Sequence, residues 1–387
     1  MNLLNRVFQY ELSTKIVFGM GSFASLPDLV KELKGTRTFV VTDPGIKKTG
    51  LLDRLTELLD QAKLPFDVFS DVENEPDAST ITRAADQAKA FGADVSIGIG
   101  GGSAQDAAKG VAVMVNNTGR ITDYAGLEKV PNPGLPIICI PTTSGTGSEV
   151  TIWTVISEKE KNMKFGIGGK YVTPSIALCD PMLTVSLPPH ITAFTGLDAL
   201  THALDSFVNK ATQPISQALS RESMRLIAKS LRKAVAQGDN LEARYDMMLA
   251  ASIAAMAFNP TRLGLAHSLA MPIGGRFNVP HGMANAILLP EVMQYNLAGN
   301  LEAYKEVAEI FGENTQGISL REAAELSVEA IRKLNSDVGI PCCLKEYGIT
   351  EDDLDPIAAE GLLSGNTLVN PRSATAEDLK GIVRRLM

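Results

Sequence analysis

Between residues 36 and 150, short β-rich runs alternate with stretches that carry apolar residues at helical spacing, and that alternation leaves few folds open. "TRTFVVTDPG" (36–45), "FDVFSDV" (66–72), "DVSIGIGGG" (94–102) and the start of "LPIICIPTTSGTGSEV" (135–150) read as strands, each ending in a turn or polar loop. Between them, "LLDRLTELLDQAKL" (51–64), "ASTITRAADQAKAFG" (78–92) and "SAQDAAKGVAVMV" (103–115) read as helices, the second closed by Gly92. The expected result is a set of βαβ units around a mostly parallel sheet. From about residue 189 the β-branched runs fade and helical patterns take over. In "PISQALSRESMRLIAKSLRKAVAQG" (214–238), Ile215, Ala218, Leu219, Leu226, Ile227 and Leu231 fall on one stripe, the predicted buried face. "AAELSVEAIRKLNSDVG" (323–339) behaves similarly. The boundary is placed near Leu187, giving an α/β domain over 1–187 and an all-helical domain over 188–387. A chain of 387 residues suits two domains.

The net charge of −8 argues against a nucleic-acid partner, which calls for a basic face. No apolar run reaches about 18 residues, so no membrane span is expected. The N-terminus lacks the basic start and long apolar core of a secretory signal. Cys139, Cys179, Cys342 and Cys343 form no CxxC pair, and the first two lie in apolar runs that read as buried thiols. A reducing, cytoplasmic setting is the expectation.

Two loops follow strands of the first half. In "GIGGGSAQDAAKG", Gly100, Gly101 and Gly102 let backbone N–H groups approach a ligand, and the helix that follows favours negative charge at its N-terminus. A pyrophosphate suits that place, although the run alone is equally a structural turn. "PTTSGTGSEVT" (141–151) offers the hydroxyls of Thr142, Thr143 and Thr146, or is simply a turn rich in Ser and Thr caps. Two such loops on one sheet favour a dinucleotide crevice. Asp43 ends "FVVTD"; its carboxylate either accepts from a ribose or shapes the turn before Pro44-Gly45.

The chain has four histidines. In "GLDALTHALDSF", Asp198 and His202 are one helical turn apart on one face. His267 and His281 bracket "SLAMPIGGRFNVP", whose Pro272, Gly274, Gly275 and Pro280 suit a chain reversal that brings the rings together. One carboxylate and three imidazoles suit Zn²⁺ or Fe²⁺, whereas an isolated Asp–His pair usually marks a local hydrogen bond. His190, in "SLPPHIT", reads as a structural or capping residue.

With these motifs the chain resembles the iron-containing (group III) alcohol dehydrogenase family. The likeness runs from "KIVFGMGS" (15–22) through "GGGSAQDAAK" (100–109), "PTTSGTGSEVT", "DPMLTVSLPP" (180–189) and "GLDALTHALDSF" to "GLAHSLAMPIGGRFNVPHGMANAILLP" (264–290) and "GIP" (339–341). It implies a dehydroquinate synthase-like architecture: an N-terminal dinucleotide-binding α/β domain and an all-α metal-binding domain, with the reaction in the cleft between them. It implies that Asp198, His202, His267 and His281 are the metal ligands and the catalytic centre. Gly101, Gly102 and Ser103 correspond to the pyrophosphate loop, with Asp106 in the helix behind it. Thr142, Thr143, Thr146 and Lys164 correspond to the nicotinamide half, with Thr151 closing that loop, and Asp43 to NAD preference.

Three positions depart from the family's pattern. Met271 stands where a second histidine often follows the first of the "AHxxAH" stretch, and Trp153 stands where Asn often follows "EVT" by two residues. "VENEP" (72–76) replaces a common Asn-Pro. Trp153, Met271 and Arg276 are the candidate substrate-side residues. Arg276, in "GGRF", suits the carboxylate, sulfonate or phosphonate of an acidic aldehyde, or else is a surface ion pair. The resemblance implies an NAD(H)-dependent oxidoreductase that uses Fe²⁺, or alternatively Zn²⁺, on a small primary alcohol and its aldehyde, working as a homodimer or larger homo-oligomer. The alternatives are a polyol oxidoreductase of the glycerol dehydrogenase kind, a dehydroquinate synthase relative, and a non-catalytic NAD-binding sensor.

Overall fold

The structure, a computed structural model, describes residues 7–161 and 163–387. The chain divides into two compact units: Leu12–Leu187, and Pro188–Met387 joined by residues 7–11. The N-terminal residues belong with the second unit through two long-range bonds. Tyr10 Oη donates to the Met256 carbonyl at 3.3 Å, and the Gln213 amide donates to the Gln9 carbonyl at 3.3 Å.

Among the described residues the first unit contains nine strands: β1 (Lys15–Phe18), β2 (Thr38–Val41), β3 (Phe66–Phe69), β4 (Val95–Gly100), β5 (Gly126–Leu127), β6 (Ile137–Pro141), β7 (Trp153–Glu158), β8 (Met163–Gly168) and β9 (Ile176–Cys179). Its helices are α1 (Leu26–Glu32), α2 (Pro44–Lys48), α3 (Leu51–Gln61), α4 (Ala78–Phe91) and α5 (Gly102–Asn116). Six strands form one sheet in the order β1-β9-β6-β4-β2-β3, and every neighbouring pair is parallel. The mostly parallel sheet read from the alternation is thus present. A second sheet, β5-β8-β7, pairs β7 antiparallel to β8.

Strand periodicity sorts the core. Val40, Ile97, Ile99 and Ile138 pack with Leu26, Val30, Leu55 and Leu59 of α1 and α3. Phe39 and Val41 face the other way, onto Ile81, Ala84 and Ala85 of α4 and Ala107 and Val111 of α5. Gly98 has a packing reason, since a Cβ there would sit 2.7 Å from the Ala108 Cβ. Its absence lets α5 lie directly on β4. After β2 the chain places β3 on one side and β4 on the other, so strand order reverses between β2 and β4. In open parallel sheets, ligands bind beyond the carboxyl ends of the strands at such a reversal.

The second unit is helical: α6 (Pro189–Val208), α7 (Pro214–Ala236), α8 (Leu241–Phe258), α9 (Leu265–Phe277), α10 (His281–Asn296), α11 (Leu301–Ile310), α12 (Leu320–Asp337), α13 (Leu354–Leu363), α14 (Gly365–Val369) and α15 (Ala376–Arg384). Every residue of α6 from Gly196 to Val208 is buried, the polar Asp198, His202 and Asp205 included. It runs through a core built with α7, α8, α9 and α10.

Two expectations are corrected. The buried face of α7 is a serine stripe: Ser216, Ser220, Ser223 and Ser230 are buried with Met224, Ile227 and Leu231, while Ile215 and Ala218 are exposed and Leu219 is half-buried. Small side chains let α7 approach α8, where two of the four hydroxyls are bonded, while Ser216 and Ser220 Oγ have no partner among the described residues. Ser223 Oγ donates to the Ala250 carbonyl at 2.8 Å and Ser230 Oγ to Asp246 at 2.6 Å. Secondly, Pro272, Gly274 and Gly275 lie inside α9 and do not turn the chain. The reversal is residues 278–280, where Asn278 takes a left-handed conformation (φ 54°) at the end of α9 and Pro280 precedes α10. Among the described residues, no helix is long and apolar enough to cross a membrane.

Candidate metal centre and cofactor loops

Three buried helices supply the polar cluster of the second unit. Asp198 and His202 sit one turn apart on α6, His267 lies in the first turn of α9, and His281 is the first residue of α10. His267 Nε2 lies 3.8 Å and His281 Nε2 3.9 Å from Asp198 Oδ1, and single donor atoms of Asp198, His267 and His281 all lie within 4.8 Å of one another. His202 stands beside this group. Its Nε2 is 3.9 Å from the other carboxylate oxygen, and its ring stacks on His267 with centroids 4.7 Å apart. The four residues thus converge from three separate stretches of sequence, with three sharing a common point and His202 adjoining it. Asp198, His202 and His267 are buried; the His281 side chain is 35% exposed, so the cluster opens on that side.

The donor set fits a divalent cation. Ligands about 2.1 Å from a tetrahedral ion lie about 3.4 Å apart, so 3.8–3.9 Å needs only a small closure. His267 Nε2 and His202 Nδ1 are buried without a hydrogen-bond partner among the described residues. Buried polar atoms without partners are uncommon, and here one of them, His267 Nε2, faces the shared carboxylate. Burial pushes His202 down to about 4 and His267 down to about 3, which keeps both imidazoles neutral and able to ligate. Burial also resists ionisation of Asp198, but the neighbouring imidazoles and the Asn285 amide outweigh it and hold the carboxyl below its ordinary range.

Two supporting residues escaped the sequence reading. Asp205, one further turn along α6, lies 3.0 Å from His267 Nδ1 and accepts from the Gly264 N–H at 2.9 Å. With Asp205 ionised, that contact places the proton on Nδ1 and turns Nε2 toward Asp198, the carboxylate–histidine arrangement of metal sites. Burial pushes Asp205 up to about 7. Asn285, one turn after His281, donates to Asp198 Oδ1 at 2.8 Å. The spacing of Asp205, seven residues after Asp198 on the same helical face, was the available signal. His190 does not cap α6: it is exposed in the first turn, and no side chain caps that helix.

The cofactor candidates belong to the first unit: Asp43 follows β2, and Gly100, Gly101 and Gly102 lie where β4 passes into α5, flanking the strand-order reversal, and the threonine loop follows β6. Gly101 precedes α5, whose N-terminus has no side-chain cap and so presents bare N–H groups. Gly100 takes φ 147°, and a Cβ on it would lie 2.9 Å from Asp43 Oδ2. Asp43 thus shapes the turn before Pro44 and Gly45. Its Oδ1 caps α2, accepting from the Gly45 and Ile46 N–H groups, while Oδ2 faces the glycine loop. A Cβ on Gly102 would lie 2.7 Å from Thr146 Cγ2, so the glycine and threonine loops are in direct contact. Thr143 and Thr146 are half-buried and Thr142 is buried.

Other candidates already have protein partners. Ser103 Oγ bonds the Asn74 carbonyl, and Lys164 pairs with Glu75 of the "VENEP" stretch. Asp106 accepts from Ser148 Oγ at 2.6 Å and the Val155 N–H at 2.9 Å, and Thr151 Oγ1 accepts from Lys109 at 3.1 Å. The half-buried Trp153 ring lies on β8, where a Cβ on Gly168 would come within 2.6 Å of it. Met271 is half-buried one turn after His267. Arg276 is ion-paired with Glu360 at the surface, so its charge is already answered.

Comparisons with known proteins agree with this geometry. Residues 13–181 match the family described as iron-containing alcohol dehydrogenase, and residues 192–387 match its C-terminal domain. The chain is 38% identical over 382 residues to 1,3-propanediol dehydrogenase of Citrobacter freundii, covering 98% of this chain and 99% of that one. It is 38% identical over 373 residues to sulfoacetaldehyde reductase of Bilophila wadsworthia, covering 95% and 96%. The solved structure of sulfoacetaldehyde reductase from Bifidobacterium kashiwanohense in complex with NAD⁺ superposes with a TM-score of 0.89 at 29% identity, covering 99% of each chain. The chain belongs to the iron-containing alcohol dehydrogenase family and is an oxidoreductase of that family.

Proposed function

We propose that this protein interconverts a small primary alcohol and its aldehyde, with NAD(H) as the hydride carrier and a divalent metal held by Asp198, His202, His267 and His281. The observation that carries the reading is the convergence of Asp198, His267 and His281, with a buried, unpartnered Nε2 on His267 facing the shared carboxylate. A divalent cation held there supplies Lewis-acid charge that favours the oxyanion form of the substrate oxygen. The nicotinamide supplies the hydride acceptor in one direction and the donor in the other.

This chain's residues prepare that chemistry. Asp205 holds the His267 tautomer, and Asn285 orients Asp198. Burial on the α6 side excludes water, while the half-exposed His281 side admits substrate. Met271, one turn beyond His267, carries no titratable group and so cannot take the alcohol proton. The N-terminus of α5 seats the pyrophosphate, and Thr142, Thr143 and Thr146 line the adjoining half of the dinucleotide. A carboxylate oxygen of Asp43 beside the glycine loop accepts from a ribose and repels a 2′-phosphate, which favours NAD over NADP.

Relatives named for propanediol and sulfoacetaldehyde bracket the substrates to try. With Arg276 paired to Glu360, a short neutral aldehyde is favoured over an acidic one. The test is NADH absorbance with iron- or zinc-loaded protein and a panel of neutral, hydroxylated and acidic aldehydes. Rapid, metal-dependent oxidation of NADH by a short neutral aldehyde is the expected result. Tight NADH binding without turnover of any aldehyde would refute the enzymatic reading in favour of a sensor.

A further inference from the structure

The geometry points to Asp106 and Lys109 as positioning residues: an ion pair on α5, its lysine fully buried and its carboxylate largely so, that sets the threonine loop against the glycine loop and so shapes the dinucleotide seat. The inference rests on the reading of this chain as an NAD(H) enzyme. Lys109 is fully buried, and its three ammonium protons are matched by the Thr151 hydroxyl at 3.1 Å, the Thr151 carbonyl at 3.3 Å and the Trp153 carbonyl at 2.7 Å. Asp106 lies one turn earlier, 3.8 Å from that ammonium. Its two oxygens accept from Ser148 Oγ at 2.6 Å and the Val155 N–H at 2.9 Å, and its own carbonyl accepts from Thr154 Oγ1 at 2.8 Å. One turn of helix therefore fastens the chain from residue 148 to residue 155.

A buried ion pair is seldom more stable than apolar residues of the same volume, because both ions lose water. Its hydrogen bonds, however, fix geometry in a way that apolar packing does not. The place where geometry matters is one turn back on α5. Gly102 there touches Thr146 so closely that a single added methyl would collide with it. A displacement of the 148–155 segment by a fraction of an ångström would open or close that contact. Both side chains are spent on protein atoms, so they act on the cofactor through the threonine loop alone.

The test compares Asp106→Leu, Lys109→Met, the double replacement and Ser148→Ala, reading melting temperature and NADH affinity by fluorescence titration without substrate. Each single charge removal leaves its partner buried and lowers the melting temperature. The double replacement recovers most of that loss but binds NADH about tenfold more weakly. Ser148→Ala removes one bond to Asp106 while leaving the ion pair in place, so it weakens NADH binding several-fold with a smaller loss of melting temperature than either charge removal. It tests the idea even if the double variant does not fold. Wild-type NADH affinity in a folded double variant, or in Ser148→Ala, overturns the positioning role. Failure of the unmutated protein to bind NADH overturns the cofactor reading on which it rests.

Discussion

Replacing Asp205 by Asn is the most informative single change to the metal centre. Asp205 touches no shared donor point; it grips His267 Nδ1 at 3.0 Å and the N–H of Gly264 at 2.9 Å. Asn is nearly isosteric, and its carbonyl oxygen can take the place of the accepting oxygen, so the metal-free fold should survive with little change in melting temperature. What is lost is the anion that holds the Nδ1 proton and strengthens Nε2 as a ligand. Changes at such supporting carboxylates weaken metal binding by roughly 10–100-fold, or about 1.4–2.7 kcal/mol. Asp205→Ala differs in kind. It strands two buried donors at about 1–3 kcal/mol each, so it should destabilise the metal-free protein by about 2–6 kcal/mol. The assay is competitive titration of the stripped protein with zinc or ferrous iron against a chromophoric chelator, alongside melting curves with and without metal. An unchanged metal affinity in Asp205→Asn would refute the tautomer argument and leave Asp205 as a helix-pinning residue only.

Three further outcomes follow from particular contacts. His267→Ala or His281→Ala should abolish turnover and metal retention while NADH affinity stays within a few-fold; unchanged kcat in either rules out the metal role. Gly102→Ala should sharply weaken NADH binding, because its Cβ would come within 2.7 Å of Thr146 Cγ2, and its metal content should match the wild type. Glu291 of α10 bonds Arg332 of α12 and Arg385, just after α15, each at 2.7 Å. Burial opposes its ionisation, but the two guanidiniums prevail and hold it below the usual carboxylate range. A depressed folded pKa gives stability that is present at neutral pH and lost on acidification. Glu291→Gln should therefore lower the melting temperature at pH 7 by about 1–3 °C, with the difference fading below about pH 4; a gap that persists in acid would contradict the linkage.

The α/β unit was legible because strand and helix periods are local properties. The alternation of residues 36–150 located β2, β3, β4 and β6 and the helices between them. The serine-lined face of α7 was not legible, since hydropathy ranks serine as outward-facing. Only the close approach of α8, with hydroxyls bonded to Ala250 and Asp246, makes that face the inner one. Likewise Pro272 and the two glycines read as a turn, yet the packing of α9 keeps the helix intact to Phe277.

At the sites, residue type and spacing alone determined which side chains were capable of chemistry: one Asp–His pair a turn apart, two further histidines, and glycine and threonine loops after strands. Folding decided which atoms meet. Asp198, His267 and His281 share a point because three helices cross in one core, while His202 takes its place through stacking on His267. The same folding turned Asp106, Thr151 and Lys164 toward protein partners and paired Arg276 with Glu360. Such outcomes depend on distances between residues remote in the chain, and a linear pattern carries no information about the direction in which a side chain finds its partner.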